Sequence, residues 1–390
     1  MIRHGSFRDT IHLAFGLCNQ MSSLTIISSH AIKLASHPDA KTLCRLAAEI
    51  KALAPWTLLQ ETEVFGVEDP DTGEIGFISV MGNIGEFESV AVYSGAEGIY
   101  GFIDFQFDDT ANPDRLIEIP QIQLSFSEPK FLEKRDRELL KASGVKFTGT
   151  KPQFRSFRPG YLPWFITLGE ARLLIHALSQ TVEMTKRLAS EPVSFPDDGD
   201  DETEPFLVRV PRHADSSREP DTSRKGDTEL VWEDQIRRIP RPAESKMGAS
   251  AAGIDSLLLS DLQTLPLSTN QLEADVFIGP GRIGEPDERP LALYMLILAD
   301  RFSGYILGIE ALSAELSLDA MYEGIPEKIA QLLWQKKVLP KQIIVRTDRL
   351  LNLLEPLESK LKIQLRRAKD LPAIDEAVAS MTQFLKRGKI

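Results

Sequence analysis

The chain has 390 residues, 42% of them apolar and 26% charged, an ordinary globular composition at a length that favours more than one hydrophobic core. A formal net charge of −12 argues against a protein wrapped on all sides in nucleic acid, while two cysteines and six scattered histidines exclude a disulfide framework or a cysteine-based zinc centre. No apolar run approaches the roughly 18 residues of a membrane-spanning helix. A cytoplasmic protein with reduced thiols is expected.

Residues 1–35 read as a poorly ordered leader, because His12, Asn19, Gln20 and several serines interrupt any secretion-signal core. From Ser36 a helix is predicted, with Ser36 as cap, Pro38 in the first turn and Leu43, Leu46, Ala47, Ile50 and Leu53 on one face. LLQETEVFGVED and EIGFISVMG flank the turn DPDTGE and predict a hairpin, with a third strand in FESVAVYSG. AEGIYGFIDF fits a short helix or a strand. Alternation from Ile117 to Phe126 predicts a half-buried strand, followed by a helix that Pro129 opens and Gly144 closes.

Residues Pro152 to Glu183 combine an extended aromatic segment with a helix whose apolar stripe is Leu173, Leu174, Ala177, Leu178 and Val182. Arg155 and Arg158 alternate there with Phe154, Phe157, Tyr161 and Trp164. Two readings stand. One is a guanidinium and aromatic surface that grips a protein or nucleic-acid partner through Arg155, Arg158, Tyr161 and Trp164. The other is a buried aromatic strand with arginine stems packed beside it and their heads in water.

An acidic, mobile insert is expected at 191–205 and a polar loop at 212–228, with strands in FLVRV and ELVWEDQIRRI that can complete the first sheet. Residues 241–253 read as a linker. Beyond it come a short helix at Leu257 to Leu265, a strand in ADVFIG, a glycine-rich loop IGPGRIG, and a hairpin of LALYMLILAD and YILGIEAL joined by RFSG. Helix and strand then alternate: a helix at 325–337, KQIIVRTD, LLNLLEPLESKL, KIQLRRA and a final helix AIDEAVASMTQFLKRG. Short connections between them predict parallel pairing. The expected fold is an α+β domain over 36–240 followed by an α/β domain over 254–390, built as a hairpin plus βαβα units.

That order in the second domain resembles a ribonuclease H-like topology. The resemblance implies acids in the first strand, after the fourth strand and at the start of the last helix, gathering Mg or Mn ions for phosphodiester attack. Asp300, Asp348 and Asp375 with Glu376 stand at such places, Glu310 is a further candidate, and Asp300 and Asp348 are the candidate metal ligands. Acids at turns and helix N-termini equally serve capping and the helix dipole. From Lys336 onward thirteen Lys or Arg face six acids, so Arg366 and Arg367 are candidate partner contacts on a basic tail. Phosphate-binding GxxxxGK[ST], GxSxG, HExxH and strand-borne GxGxxG motifs are absent.

VFGVEDPDTGEIGFISVMGNIGEFESVAVYSGAEGI and FRSFRPGYLPWFITLGEARLL, with ERPLALYMLILADRFSGYILGIEAL and LPKQIIVRTDRLLNLLEPL, resemble an uncharacterised bacterial two-domain family, both domains of unknown function. The expected role is a non-enzymatic module that binds a protein or nucleic acid. The alternative is a divalent-metal-dependent nuclease, or a degenerate derivative of one, using Asp300 and Asp348.

Overall fold

The structure is a computed structural model that describes residues 34, 37–83, 85, 87–107, 115–196, 199, 202–213, 230–243 and 254–387, without the side chains of 384–387. The expected leader apart from Leu34, the centres of the acidic insert and of the polar loop, and most of the linker lie outside the described residues. The chain divides into two compact units: residues 1–105, 119–158 and 163–242 form the first, and residues 106–118, 159–162 and 243–390 the second.

The first unit holds strands β1 (Phe65–Glu68), β2 (Ile75–Met81), β3 (Ser89–Ser94), β4 (Gln121–Ser127), β5 (Lys151–Phe157), β6 (Trp164–Phe165), β7 (Thr203–His213) and β8 (Leu230–Pro240). They form one sheet in the order β6-β5-β4-β3-β2-β1-β7-β8, antiparallel at every step except β1 beside β7. Helices α1 (Pro38–Leu53), α2 (Gly95–Phe107), α4 (Lys134–Ser143) and α5 (Leu168–Leu188) accompany it, while the single turn α3 (Arg115–Glu118) belongs to the second unit. Leu43 and Ile50 of α1 and Leu174 and Leu178 of α5 are buried in one core with Phe65, Ile78, Val90 and Leu124. On the sheet's other face Tyr93 stacks on Phe102 of α2, with ring centres 4.4 Å apart.

Several local expectations change here. His37, not Ser36, is the described cap of α1, its Nδ1 accepting from the Asp39 N–H. AEGIYGFIDF is helical, as α2. The alternating run divides into the turn α3 and the strand β4, and β4 is buried on both faces rather than one. Gln123 and Ser125 tolerate this because Gln123 donates to Ser89 Oγ at 2.7 Å and Ser125 lies opposite Gln153, a polar layer satisfied inside the sheet. Thr203, Glu204 and Pro205 are strand residues of β7 rather than part of the acidic insert.

The second unit contains α6 (Ser256–Gln263), β9 (Gln271–Ile283), β10 (Leu291–Asp300), β11 (Ile306–Leu312), α7 (Leu318–Glu323), α8 (Ile325–Lys336), β12 (Gln342–Val345), α9 (Asp348–Leu361), β13 (Gln364–Arg367) and α10 (Pro372–Arg387). Its sheet runs β11-β10-β9-β12-β13, antiparallel across β9, β10 and β11 and parallel from β9 through β12 to β13. Leu262, Ile329, Leu333, Leu353 and Leu357 fill one face, and Leu371, Ala373 and Ile374 at the start of α10 cover Ile297, Ala299 and Ile344 on the other.

IGPGRIG is not a loop. It is the second half of β9, where a Cβ on Gly279 would stand 2.6 Å from Met295 Cγ and one on Gly281 2.9 Å from Leu293 Cδ2, so glycine lets the strands close. β9 is therefore the first strand of the sheet, and Asp300 ends the second strand, not the first.

Candidate functional site

A group of buried charges in the second unit stands where β9, β12 and α10 meet. Glu273 and Asp275, two residues apart on β9, project to one side of the sheet, and parallel pairing of Val345 with Ala274 brings Arg346 level with Asp275. Arg346 Nε donates to Asp275 Oδ2 at 2.9 Å, Nη2 to Asp375 Oδ1 at 2.5 Å, and Nη1 to the Lys369 carbonyl at 2.5 Å. Asp275 Oδ1 accepts from the Val276 N–H, and Asp375 Oδ2 from the Leu371 N–H. Burial pushes the Asp275 carboxyl up, and the Arg346 guanidinium opposes that shift.

Glu273 is fully buried. Its Oε2 accepts from the Ala373 and Ile374 N–H groups at the start of α10, and its Oε1 pairs with Arg301 at 2.7 Å. A carboxylate on a helix N-terminus answers both the orphan amides and the dipole. Glu273 thus fixes the start of α10 to the central strand of the sheet and thereby places Asp375.

The predicted acids are divided among separate tasks. Asp300 Oδ1 accepts from the Phe302 and Ser303 N–H groups and from Ser303 Oγ, and Oδ2 from Asn270 Nδ2. Burial opposes its ionisation, but these hydrogen bonds hold its pKa below the ordinary aspartate value. It sets the turn between β10 and β11. Asp348 accepts from Arg367 Nη1 at 2.6 Å with its side chain 61% exposed. Glu310 is half-buried on β11 opposite Leu296, and Glu376 is exposed. Among the described residues no group of three or more His, Cys, Asp or Glu could hold a metal ion.

The predicted contact residues also separate. Arg155 is buried at 7% exposure, with Nη1 and Nη2 each 2.8 Å from an oxygen of Asp136, and Glu133 beside it. It is no open stacking surface, because an arginine this deep requires a carboxylate partner. Arg158 is exposed and pairs with Glu170 at 3.0 Å. Trp164 is half-buried beneath the Arg135 guanidinium. Tyr161 is half-buried and bridges Leu291 in the second unit. Arg366 is exposed, and Arg367 is half-buried against Asp348.

Residues 41–209 match the family model described as Domain of unknown function (DUF7309), and residues 258–382 match Domain of unknown function (DUF6930). The chain belongs to a two-domain family of unknown function. No curated protein and no solved structure matches it. The DUF6930 match contains the whole Asp275, Arg346 and Asp375 group, and the DUF7309 match contains the Arg155 cluster. No helix among the described residues is long and apolar enough to cross a membrane.

The sequence reading missed Glu273, Asp275 and Arg346. Two acids alternating in an otherwise apolar strand, LEADVFIG, are the signal that could have found them, since buried acids require partners.

Proposed function

We propose that the chain is a cytoplasmic, non-enzymatic interaction module whose DUF6930 domain has a ribonuclease H-like topology with its charge centre closed by an arginine. Strand order β11-β10-β9-β12-β13, with β9 first and central, supports that topology. On this reading the acids of the first strand, of the position after the fourth strand and of the last helix are Asp275, Asp348 and Asp375.

The observation that carries the proposal is Arg346 held between Asp275 and Asp375. A cation already lies between those carboxylates, and their other oxygens accept backbone N–H groups. This donor set does not fit Mg or Mn, which require oxygens free to coordinate. The alternative, a metal-dependent nuclease on Asp300 and Asp348, has less support still, because Asp300 is saturated by its own turn and Asp348 faces Arg367.

A protein partner fits better than nucleic acid. Arg155, Arg346 and Arg367 are compensated by carboxylates within the chain, which takes these three out of contact with a phosphate backbone. Arg158 and Arg366 are the exposed candidate contacts.

Calorimetric titration of Mn²⁺ into the full chain, with nuclease assays beside it, tests this reading. No saturable binding and no cleavage are expected. Binding or cleavage that disappears in Asp275→Asn would overturn the proposal.

A further inference from the structure

The outer edge of the first unit's sheet is built from a long strand. β8 contributes eleven residues, LVWEDQIRRIP, and is the last strand in the sheet order. One edge pairs with β7 along its whole length. Among the described residues no strand pairs with the other edge.

The direction of its backbone groups follows from the pairing. The Arg241 N–H donates to the Glu202 carbonyl at 2.8 Å, and antiparallel bonds recur at every second pair. Bonding pairs therefore continue through 206 with 237, 208 with 235 and 210 with 233. At Glu204 and Ile239 the Tyr100 hydroxyl bridges the two backbones. Pro205 and Pro211 sit opposite Arg238 and Trp232, in the intervening pairs, where a missing N–H costs this ladder nothing. Trp232, Asp234, Ile236 and Arg238 thus direct their N–H and C=O groups away from β7.

Natural edge strands are blunted by short length, prolines, bulges or charged side chains, and charges block pairing with a second copy only where like signs would meet. β8 has its one proline at the end, and its pairing with β7 runs without a register shift. Its charges are sorted: Glu233 and Asp234 precede the centre, and Arg237 and Arg238 follow it. Val231 and Ile236 are 50% and 60% exposed.

We propose that this edge pairs antiparallel with the β8 edge of a second copy of the chain, about a two-fold axis through Gln235. Gln235 is the middle residue, so this register pairs all eleven positions. It sets Glu233 opposite Arg237 of the second copy, twice by symmetry, and Val231 opposite its Ile239. Opposite charges across a strand pair are favourable and like charges are not. Centring on Asp234 or Arg237 instead would oppose that residue to itself, and parallel pairing in register would oppose every charge to its like. The ion pairs of Glu233 with Arg212 and of Arg237 with Glu68 remain and extend the network. The association is independent of the role proposed above.

The test uses the full chain. Light scattering across a dilution series is expected to give twice the 43.5 kDa chain mass at high concentration. In a Cys18→Ser background, with Cys44 buried, Gln235→Cys is expected to oxidise to a covalent dimer. The two Cα atoms then face each other at about 4.5 Å in a non-hydrogen-bonded pair, within disulfide range. Glu233→Cys, displaced from its own counterpart, should not cross-link. Ile236→Pro removes an outward N–H and should give a monomer with an unchanged circular dichroism spectrum. A monomeric wild type at every concentration overturns the proposal, as does cross-linking of Glu233→Cys as readily as Gln235→Cys.

Discussion

Arg346 lies between two carboxylates from opposite ends of its domain, with Nε 2.9 Å from Asp275 Oδ2 and Nη2 2.5 Å from Asp375 Oδ1. Asp275 is buried, so removing the arginine strands a charge in low dielectric. Arg346→Ala is expected to lose about 3–5 kcal/mol of stability at neutral pH, the usual result of breaking a buried pair from one side. Burial already raises the Asp275 pKa, and loss of Arg346 raises it further. The deficit should therefore be smaller at pH 5 than at pH 8, where the folded state must ionise the acid. Urea unfolding at both values checks the sign, and adding Asp275→Asn should recover part of the loss.

Arg155 repeats this logic in the other unit. Its two nitrogens meet both oxygens of buried Asp136, and its guanidinium lies over the Phe165 ring with 4.6 Å to the ring centre. Arg155→Ala should cost about 3–5 kcal/mol. Arg155→Lys should recover only part, because an ammonium cannot reproduce the fork. Thermal melting of both variants decides. A surface residue would give a change within about 0.5 kcal/mol.

Asp300→Asn separates a turn residue from a metal ligand. The variant keeps one oxygen for the Phe302 and Ser303 N–H groups but turns an amide toward Asn270 Nδ2. A loss of about 1–3 kcal/mol is expected from the mismatched donors. Mn²⁺ titration should show no difference between the two proteins.

Glu61 supplies a pH dependence of its own. Its Oε1 is buried with no hydrogen-bond partner among the described residues, and burial raises its pKa from 4.5 to about 7. The folded state therefore holds a proton that the unfolded chain releases earlier. Stability from this group is fully present below about pH 4.5 and is lost as pH rises through about 7. Glu61→Gln should remove that loss, worth at most about 3 kcal/mol, and so raise the melting temperature at pH 8 more than at pH 5.

Much of the architecture is legible in local pattern. The DPDTGE hairpin, the helix α5 with its Thr167 and Glu170 capping box, and the alternation after β11 follow from turn residues, caps and apolar spacing within a few positions. Expectations changed where packing overrides local chemistry. IGPGRIG has loop composition, yet its glycines admit Met295 and Leu293 from β10. The strand expected in ADVFIG runs on through it, so β9 carries Asp275 at the start of the sheet and Asp300 ends the second strand.

The sequence by itself determined the two-domain plan, the type of most elements and the sorted charges of β8, because each depends on near neighbours or on composition. Only the tertiary structure decided which charges meet. Asp275 and Arg346 are 71 residues apart, and Arg346 and Asp375 are 29 apart. Parallel pairing of β12 with β9 and the seating of α10 on Glu273 bring them together. A buried charge takes its role from what faces it across the sheet, and sheet order is a long-range property that spacing along the chain does not contain.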